Sequence, residues 1–523
     1  MDDRPRPGRG RIGLFHVALP SCVIVALTGI LWPETFSGAV SELTSTFFET
    51  LDWFFMGSVT GFLVLAAWLA IGPYGSITLG RPGDTPEFST ASWLAMLFAA
   101  GMGVGLLFWG VAEPMTHFAS PPLGEPLSPE AARQAIVLTM LHWGFHAWAV
   151  YSVGALVLAY FHYRRGTSFL AGAPIRAAFT GRWVRPVADL ADLVAVLAVA
   201  LGVAGSLAMG VFQLQTGLNL VVGTPADATW FALLLLLVLF AAFMTSAATS
   251  LDKGIKILSN VNMSLAILLM AFVLLVGPTP FLLRCLITGL GDYLSALPSL
   301  SFRLYPHEDL REWVGSWTLT YFIWWIAWAP FVGIFIARIS KGRTIRGFVA
   351  GVLLVPTAFS LVWFSVFGGM GIYEETHGAG GIASVVEEDV TTALFALLDR
   401  LPAPALLMGT ALVLLFVFVV TSVDSATYVL GMLTSRGAMD PPRSRKFAWG
   451  ITLAALGAAL TLSKNIAVVR AGAISFALPL TLILLLQAAA LVRSLATDPG
   501  RARGSGRTEG AAVDRPRPGV EEA

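Results

Sequence analysis

Apolar stretches of about 20 residues, each long enough as a helix to cross a hydrocarbon core of roughly 30 Å, recur from residue 13 to residue 492. In a bilayer every backbone N–H and C=O needs an internal partner, so only helices and closed barrels can span it. Barrel strands would alternate at period two, whereas these runs are continuous. The chain therefore reads as an all-α, polytopic membrane protein. Its charge agrees: 12% of residues are charged, about half the roughly 25% usual in soluble domains.

Twelve segments can be placed, giving 12 transmembrane helices at about 13–31, 51–72, 90–111, 135–161, 187–222, 229–249, 255–276, 313–337, 345–371, 402–434, 447–463 and 471–492. With both termini assigned to the cytoplasm, 26 of the 33 Lys and Arg fall on that side, as the positive-inside rule requires. The opposite face is acidic, as in YEETH (373–377) and VEEDV (386–390). This predicts a multi-pass protein of the cell membrane with cytoplasmic N- and C-termini.

The segments 187–222 and 402–434 exceed a perpendicular span, which predicts tilt, a break or extension beyond the bilayer. Residues 277–312 read as an external loop holding an interfacial helix. Residues 1–12 form a cytoplasmic N-tail without a cleavable signal. The Gly/Pro-rich, mixed-charge stretch 493–523 reads as a disordered C-tail. Cys22 and Cys285 support neither a disulfide framework nor a metal site. Net charge is +1 with no basic patch, so no nucleic-acid partner is expected. No H-E-x-x-H or G-x-S-x-G occurs, which speaks against an intramembrane enzyme.

Four features sit at membrane depth. In FAAGMGVGLLFWGVAEP (98–114), Gly101, Gly103 and Gly105 alternate. They serve either close helix packing or, the favoured reading, a helix interrupted at the midplane, whose freed carbonyls can coordinate an ion or substrate. LHWGFHAWAVY (141–151) carries Trp143, Trp148 and Tyr151. Its His142 and His146 have i, i+4 spacing, but with no acidic ligand in view no metal site is expected. WTLTYFIWWIAWAPF (317–331) holds four tryptophans. Trp317 reads as part of a headgroup belt, whereas Trp324, Trp325 and Trp328 lie too deep for one. Deep indoles offer π-faces, and a quaternary ammonium is a common guest of aromatic cages. In FVVTSVDSAT (418–427), clustered hydroxyls and Asp424 suit either a dehydrated Na⁺ or interhelical hydrogen bonds.

With these residues in place, the chain closely resembles the betaine/choline/carnitine transporter family from about residue 13 to 492. The resemblance is most specific in GSWTLTYFIWWIAWAPFVGIFIARISKGRTIRGF (315–348), then in LHWGFHAWAVY and GMGVG. It implies two inverted five-helix repeats, about 90–276 and 313–492, preceded by two additional N-terminal helices. It also implies a small onium solute as substrate, Na⁺ as coupling ion in place of any cofactor, and a homotrimer as a plausible assembly.

By the same resemblance Trp143, Trp148, Tyr151 and Trp325 form a substrate box. Trp324 and Trp328 line the path beside it, and the Met102, Gly103 and Gly105 stretch lies against the substrate. Backbone carbonyls of Ala99, Met102 and Phe418, with the hydroxyls of Thr421 and Ser422, form a sodium site. Sodium-coupled betaine members resemble GMGIG at the glycine stretch, carnitine exchangers GIGSA, and proton-coupled choline members carry an aspartate where Gly105 stands. GMGVG thus favours glycine betaine, imported by sodium-coupled alternating access. The alternative is choline, carnitine or dimethylsulfoniopropionate, moved by proton coupling or exchange.

Three departures stand out. Val199 and Val203 occupy positions where betaine members place the two threonines of a second sodium site. An aromatic common just before the Trp pair is replaced at Phe322–Ile323. The tail lacks the basic helix of osmosensing members, so transport without strong osmotic gating is expected.

Overall fold

A computed structural model describes residues 13–101, 103–249 and 252–499. Met102, the expected N-tail (residues 1–12) and residues 500–523 lie outside the described residues. Residues 493–496, expected to open a disordered tail, instead continue the last helix, and the buried Asp498 beyond it pairs with Arg164. Among the described residues the secondary structure is helical, apart from one isolated bridge between Thr78 and Thr344.

The first two helices are α1 (Leu14–Leu31) and α2 (Pro33–Ile71). The expected span at 51–72 corresponds to the second part of α2. The helix starts at Pro33, whose fixed φ suits the first helical turn, and it kinks at Leu51 (φ −126°, ψ 17°). The glycine stretch is interrupted: α3 (Thr90–Gly101) ends before α4 (Val104–Ala119), and Gly103 between them is extended at φ −161°, ψ −178°.

The expected span at 135–161 is also two pieces, α5 (Pro129–Trp143) and α6 (Phe145–Ala159), with Gly144 between them. A Cβ on Gly144 would stand 2.5 Å from the Tyr293 hydroxyl oxygen. That oxygen accepts from the Phe145 N–H at 2.9 Å, so a donor released by the break is satisfied from elsewhere in the chain, as burial demands.

After α7 (Ala173–Ala178) come α8 (Val184–Val222), α9 (Thr229–Thr249) and α10 (Asp252–Val276). The segment at 277–312 contains α11 (Thr279–Leu300), which supplies Tyr293 and packs on α5. The short α12 (Arg311–Val314) passes through a π-turn, Gly315–Leu319, into α13 (Thr320–Ile339). Then follow α14 (Ile345–His377), α15 (Ile382–Glu388), α16 (Ala393–Asp399), α17 (Pro404–Thr434), α18 (Arg443–Leu462), α19 (Ile466–Ile474) and α20 (Ala477–Ala496).

Among the described residues, ten helical segments are long and apolar enough to cross a membrane. Two of the twelve expected spans fall outside that set for physical reasons. One is the stretch divided between α3 and α4, and the other is α18, whose first turn carries Arg443, Arg445 and Lys446.

Burial sorts the bundle. The most apolar stretches of α5–α6 and α8 are 94% buried, whereas those of α9 and of 259–276 are 33% and 22% buried. The latter pair therefore lies at the periphery, where lipid replaces protein as the apolar neighbour. The core pairs are α6 with α13, α8 with α17, and α4 with α14 and α5. These pairs carry the aromatic, glycine and hydroxyl motifs read from the sequence.

Candidate functional site

The break in α3–α4 brings backbone against an aromatic ring. A Cβ on Gly105 would stand 2.9 Å from Cη2 of Trp143, so only glycine lets the first turn of α4 approach so closely. Trp143 ends α5, and from there the rings run on across two helices. Trp143 meets Trp325 of α13 edge-on, with centroids 5.0 Å apart, and Trp325 meets Tyr151 of α6 at 5.8 Å. Tyr151 in turn meets Trp148 at 5.5 Å, and Phe364 of α14 leans on Trp143 at 5.4 Å. The four rings expected to form a box are thus contiguous.

Trp324 and Trp328 stand apart from that group. Trp324 is buried, with no ring contact to the four among the described residues. Trp328 lies edge-on to Phe331 at 5.5 Å and packs over Gly202 of α8.

Both polar edges of the facing tryptophans are tied down. Trp325 Nε1 donates to the His142 carbonyl at 2.7 Å. Trp143 Nε1 donates to Glu113 Oε2, also at 2.7 Å. The other Glu113 oxygen, Oε1, lies 2.6 Å from His142 Nδ1. A carboxylate only accepts, so Nδ1 carries a proton, and Nε2 hydrogen-bonds with the Thr318 hydroxyl at 3.0 Å. His142 also stacks on Tyr321, 4.9 Å away and nearly parallel.

This corrects the sequence reading of the histidines. His142 does have an acidic neighbour, contributed by α4, and its companion is His117 rather than His146. His146 stacks on Phe322 at 5.0 Å, whereas His117 Nε2 lies 3.6 Å from Glu113 Oε1. Ligand atoms of Glu113, His117 and His142 come within 4.8 Å of one another. However, donors sharing one tetrahedral ion at about 2.0–2.1 Å would stand roughly 3.3 Å apart. The 2.6 Å contact is a hydrogen bond with its proton between the atoms.

Sequence reasoning missed Glu113, although the same rule that singled out Asp424, an ionisable residue at membrane depth, applied to it equally. It also missed Arg470 of α19 and misplaced Trp317. The Trp317 ring is no headgroup anchor. It packs internally on His117 (4.5 Å) and Trp109 (5.8 Å). The Arg470 guanidinium lies over Trp317, Trp109 and Tyr321 at 5.1, 5.2 and 5.7 Å and donates to the Ser316 carbonyl at 2.5 Å. A second aromatic cluster, already holding a cation, thus adjoins the box through Tyr321, which contacts both Trp143 and Trp317.

The hydroxyl motif lies on α17. Thr421 Oγ1 donates to the Val417 carbonyl at 2.9 Å, which leaves its lone pairs open to a cation. Phe418 is buried, and Thr421 and Ser422 are half-buried. A Cβ on Gly210 of α8 would stand 2.5 Å from Val419 and 3.9 Å from Val104. α17 therefore reaches the start of α4 with α8 alongside. The Ala99 side chain and Met102, the other expected sodium partners, lie outside what is described. Asp424 Oδ2 accepts from Ser246 at 3.1 Å. Val199 and Val203, one turn apart on α8, are buried apolar residues.

Residues 13–500 match the BCCT, betaine/carnitine/choline family transporter. Over 493 residues, 93% of this chain and 96% of the relative, the sequence is 40% identical to "Glycine betaine transporter OpuD" of Bacillus subtilis (strain 168). It is 38% identical to "Ectoine/hydroxyectoine transporter" of Virgibacillus pantothenticus, over 92% of this chain and 96% of that one. It is 34% identical to "Osmo-dependent choline transporter BetT2" of Acinetobacter baylyi (strain ATCC 33305 / BD413 / ADP1), over 95% of this chain and 73% of that one. A match that runs through every helix from α1 to α20, joined to relatives covered over most of their length, identifies a multi-pass membrane transporter, and the chain belongs to the betaine/carnitine/choline transporter family.

Proposed function

We propose that this protein imports glycine betaine together with sodium. In this reading its twelve spans form two inverted five-helix repeats after two leading helices, with both termini cytoplasmic, and it works by alternating access. Substrate enters a box of Trp143, Trp148, Tyr151 and Trp325, and Trp324 and Trp328 line the path that follows. Sodium is held by Thr421 and Ser422 together with carbonyls of Ala99, Met102 and Phe418, where the broken α3–α4 meets α17.

One observation carries the choice of a trimethylammonium head. The indole N–H groups of Trp143 and Trp325 are both spent on protein acceptors, so these two walls present π-faces. A trimethylammonium head has no N–H to donate and suits such faces, gaining about 2 kcal/mol or more from each desolvated cation–π contact. Ectoine carries ring N–H donors, for which those faces offer no acceptor.

Uptake of labelled betaine into proteoliposomes tests the reading. Uptake should require an inward sodium gradient and be competed by betaine more strongly than by choline, carnitine or ectoine. Uptake driven equally by a proton gradient without sodium, or preferential competition by choline, would replace it.

A further inference from the structure

We propose that Glu113 is the counter-charge of the aromatic box. It is a positioning residue that fixes the Trp143 ring and places a negative charge behind it, so that the box prefers an onium head over a neutral group of the same shape. The inference rests on the betaine reading of the box.

Three observations lead there. First, Glu113 is fully buried, and each carboxylate oxygen has a separate task. Oε2 accepts from Trp143 Nε1 and Oε1 from His142 Nδ1. Second, His142 passes the constraint to the adjoining ring, because its own carbonyl accepts from Trp325 Nε1. One carboxylate thus helps to set two touching rings.

Third, among the described residues no lysine or arginine forms an ion pair with Glu113, whose ionisable partners are His142 and His117. Arg470 feels the Glu113 charge without an ion pair to it, and its guanidinium is engaged with the Ser316 carbonyl and three rings. A carboxylate at membrane depth is costly unless a positive charge compensates it. An onium against Trp143 would add to that compensation when the box fills and withdraw it when the box empties.

The test separates charge from shape. Betaine has a neutral-headed carbon isostere, 3,3-dimethylbutanoate, in which a quaternary carbon replaces the nitrogen. Inhibition constants of both compounds against labelled betaine uptake are measured in proteoliposomes for the wild type, Glu113→Gln, Glu113→Asp and Trp325→Ala. Glu113→Gln keeps the size and an acceptor oxygen and removes the charge. Its preference for betaine over the isostere should fall about tenfold, the scale of one charge acting over several ångströms in a partly polar interior.

An unchanged preference in Glu113→Gln overturns the proposal, whether both constants weaken together, as a merely structural role requires, or neither moves. Should Glu113→Gln fail to assemble, Glu113→Asp decides. It should hold the preference within about threefold of wild type while both constants weaken, and collapse of the preference there would overturn the proposal. Trp325→Ala reports on the box itself. A wild-type betaine constant in that variant would sink the box reading, whatever Glu113 does.

Discussion

Trp325 Nε1 donates to the main-chain carbonyl of His142 at 2.7 Å, so α13 is pinned to the last turn of α5, just before its break at Gly144. The bond places the Trp325 ring edge-on to Trp143 and Tyr151. Trp325→Ala removes the ring and the bond together. Losing a desolvated cation–π contact of about 2 kcal/mol raises the KM for betaine by about thirtyfold. Trp325→Phe keeps a smaller π-face and should raise KM only about three- to fivefold. Initial uptake rates across a betaine series give both values, and a wild-type KM for Trp325→Ala would remove Trp325 from the box.

The same pair shows what the sequence could and could not disclose. Tryptophans at bilayer depth lack the interfacial reason that normally places them, so Trp143 and Trp325 could be read as facing a cation without any structure. The break at Gly144 could not be read, because a lone glycine is tolerated in membrane helices. What opens the backbone there is Tyr293 arriving from α11. Trp317 was misread because depth counted along a helix says nothing about which way a ring turns. Its neighbours Trp109 and His117 come from α4. Glu113 was conspicuous by its depth, but its meaning lies in contacts to α5, again outside its own segment.

Gly105 permits the approach of α4 to Trp143, since a Cβ there would stand 2.9 Å from the ring. Gly105→Ala must therefore push the indole into the box or α4 away from it. Overpacking of this kind costs about 1–3 kcal/mol. Expressed in substrate binding, it predicts a KM for betaine raised about tenfold with the sodium requirement little altered. Parallel titrations of betaine and sodium check it. An unaffected betaine KM would show that the ring yields without consequence.

Stability depends on a junction remote from the box. Trp93 near the start of α3 is buried, donates from Nε1 to Ser340 Oγ at 3.0 Å, and lies under the Arg343 guanidinium at 4.0 Å. It thereby joins α3 to the turn between α13 and α14. Trp93→Ala should cost about 3–5 kcal/mol. Ser340→Ala, which orphans the indole donor, should cost about 1–3 kcal/mol. Thermal unfolding of purified protein in detergent should rank the two in that order, with the KM for betaine unchanged in Ser340→Ala.

Sodium dependence tests the α17 hydroxyls. Thr421→Ala combined with Ser422→Ala removes both side-chain oxygens expected at the ion while leaving the helix backbone bonds in place. The sodium concentration for half-maximal uptake should rise at least about tenfold, the scale of losing two oxygen contacts to a charge. An unchanged sodium requirement would refute the assignment of these two residues.

The valines of α8 bear on the expected stoichiometry. The family resemblance puts Val199 and Val203 where a second sodium site would need hydroxyls, and both are only 1% exposed. A desolvated Na⁺ needs oxygen ligands to replace its water, and two isopropyl groups provide none, so binding there would leave the ion's desolvation uncompensated. One sodium ion per betaine is therefore expected, with uptake rising hyperbolically in sodium and a cooperativity exponent near one. Flux ratios of labelled sodium and betaine in proteoliposomes measure this directly. A ratio of two would require a second site built from other oxygens. In that case Val199→Thr and Val203→Thr should leave the ratio untouched, because the ion would already be held elsewhere.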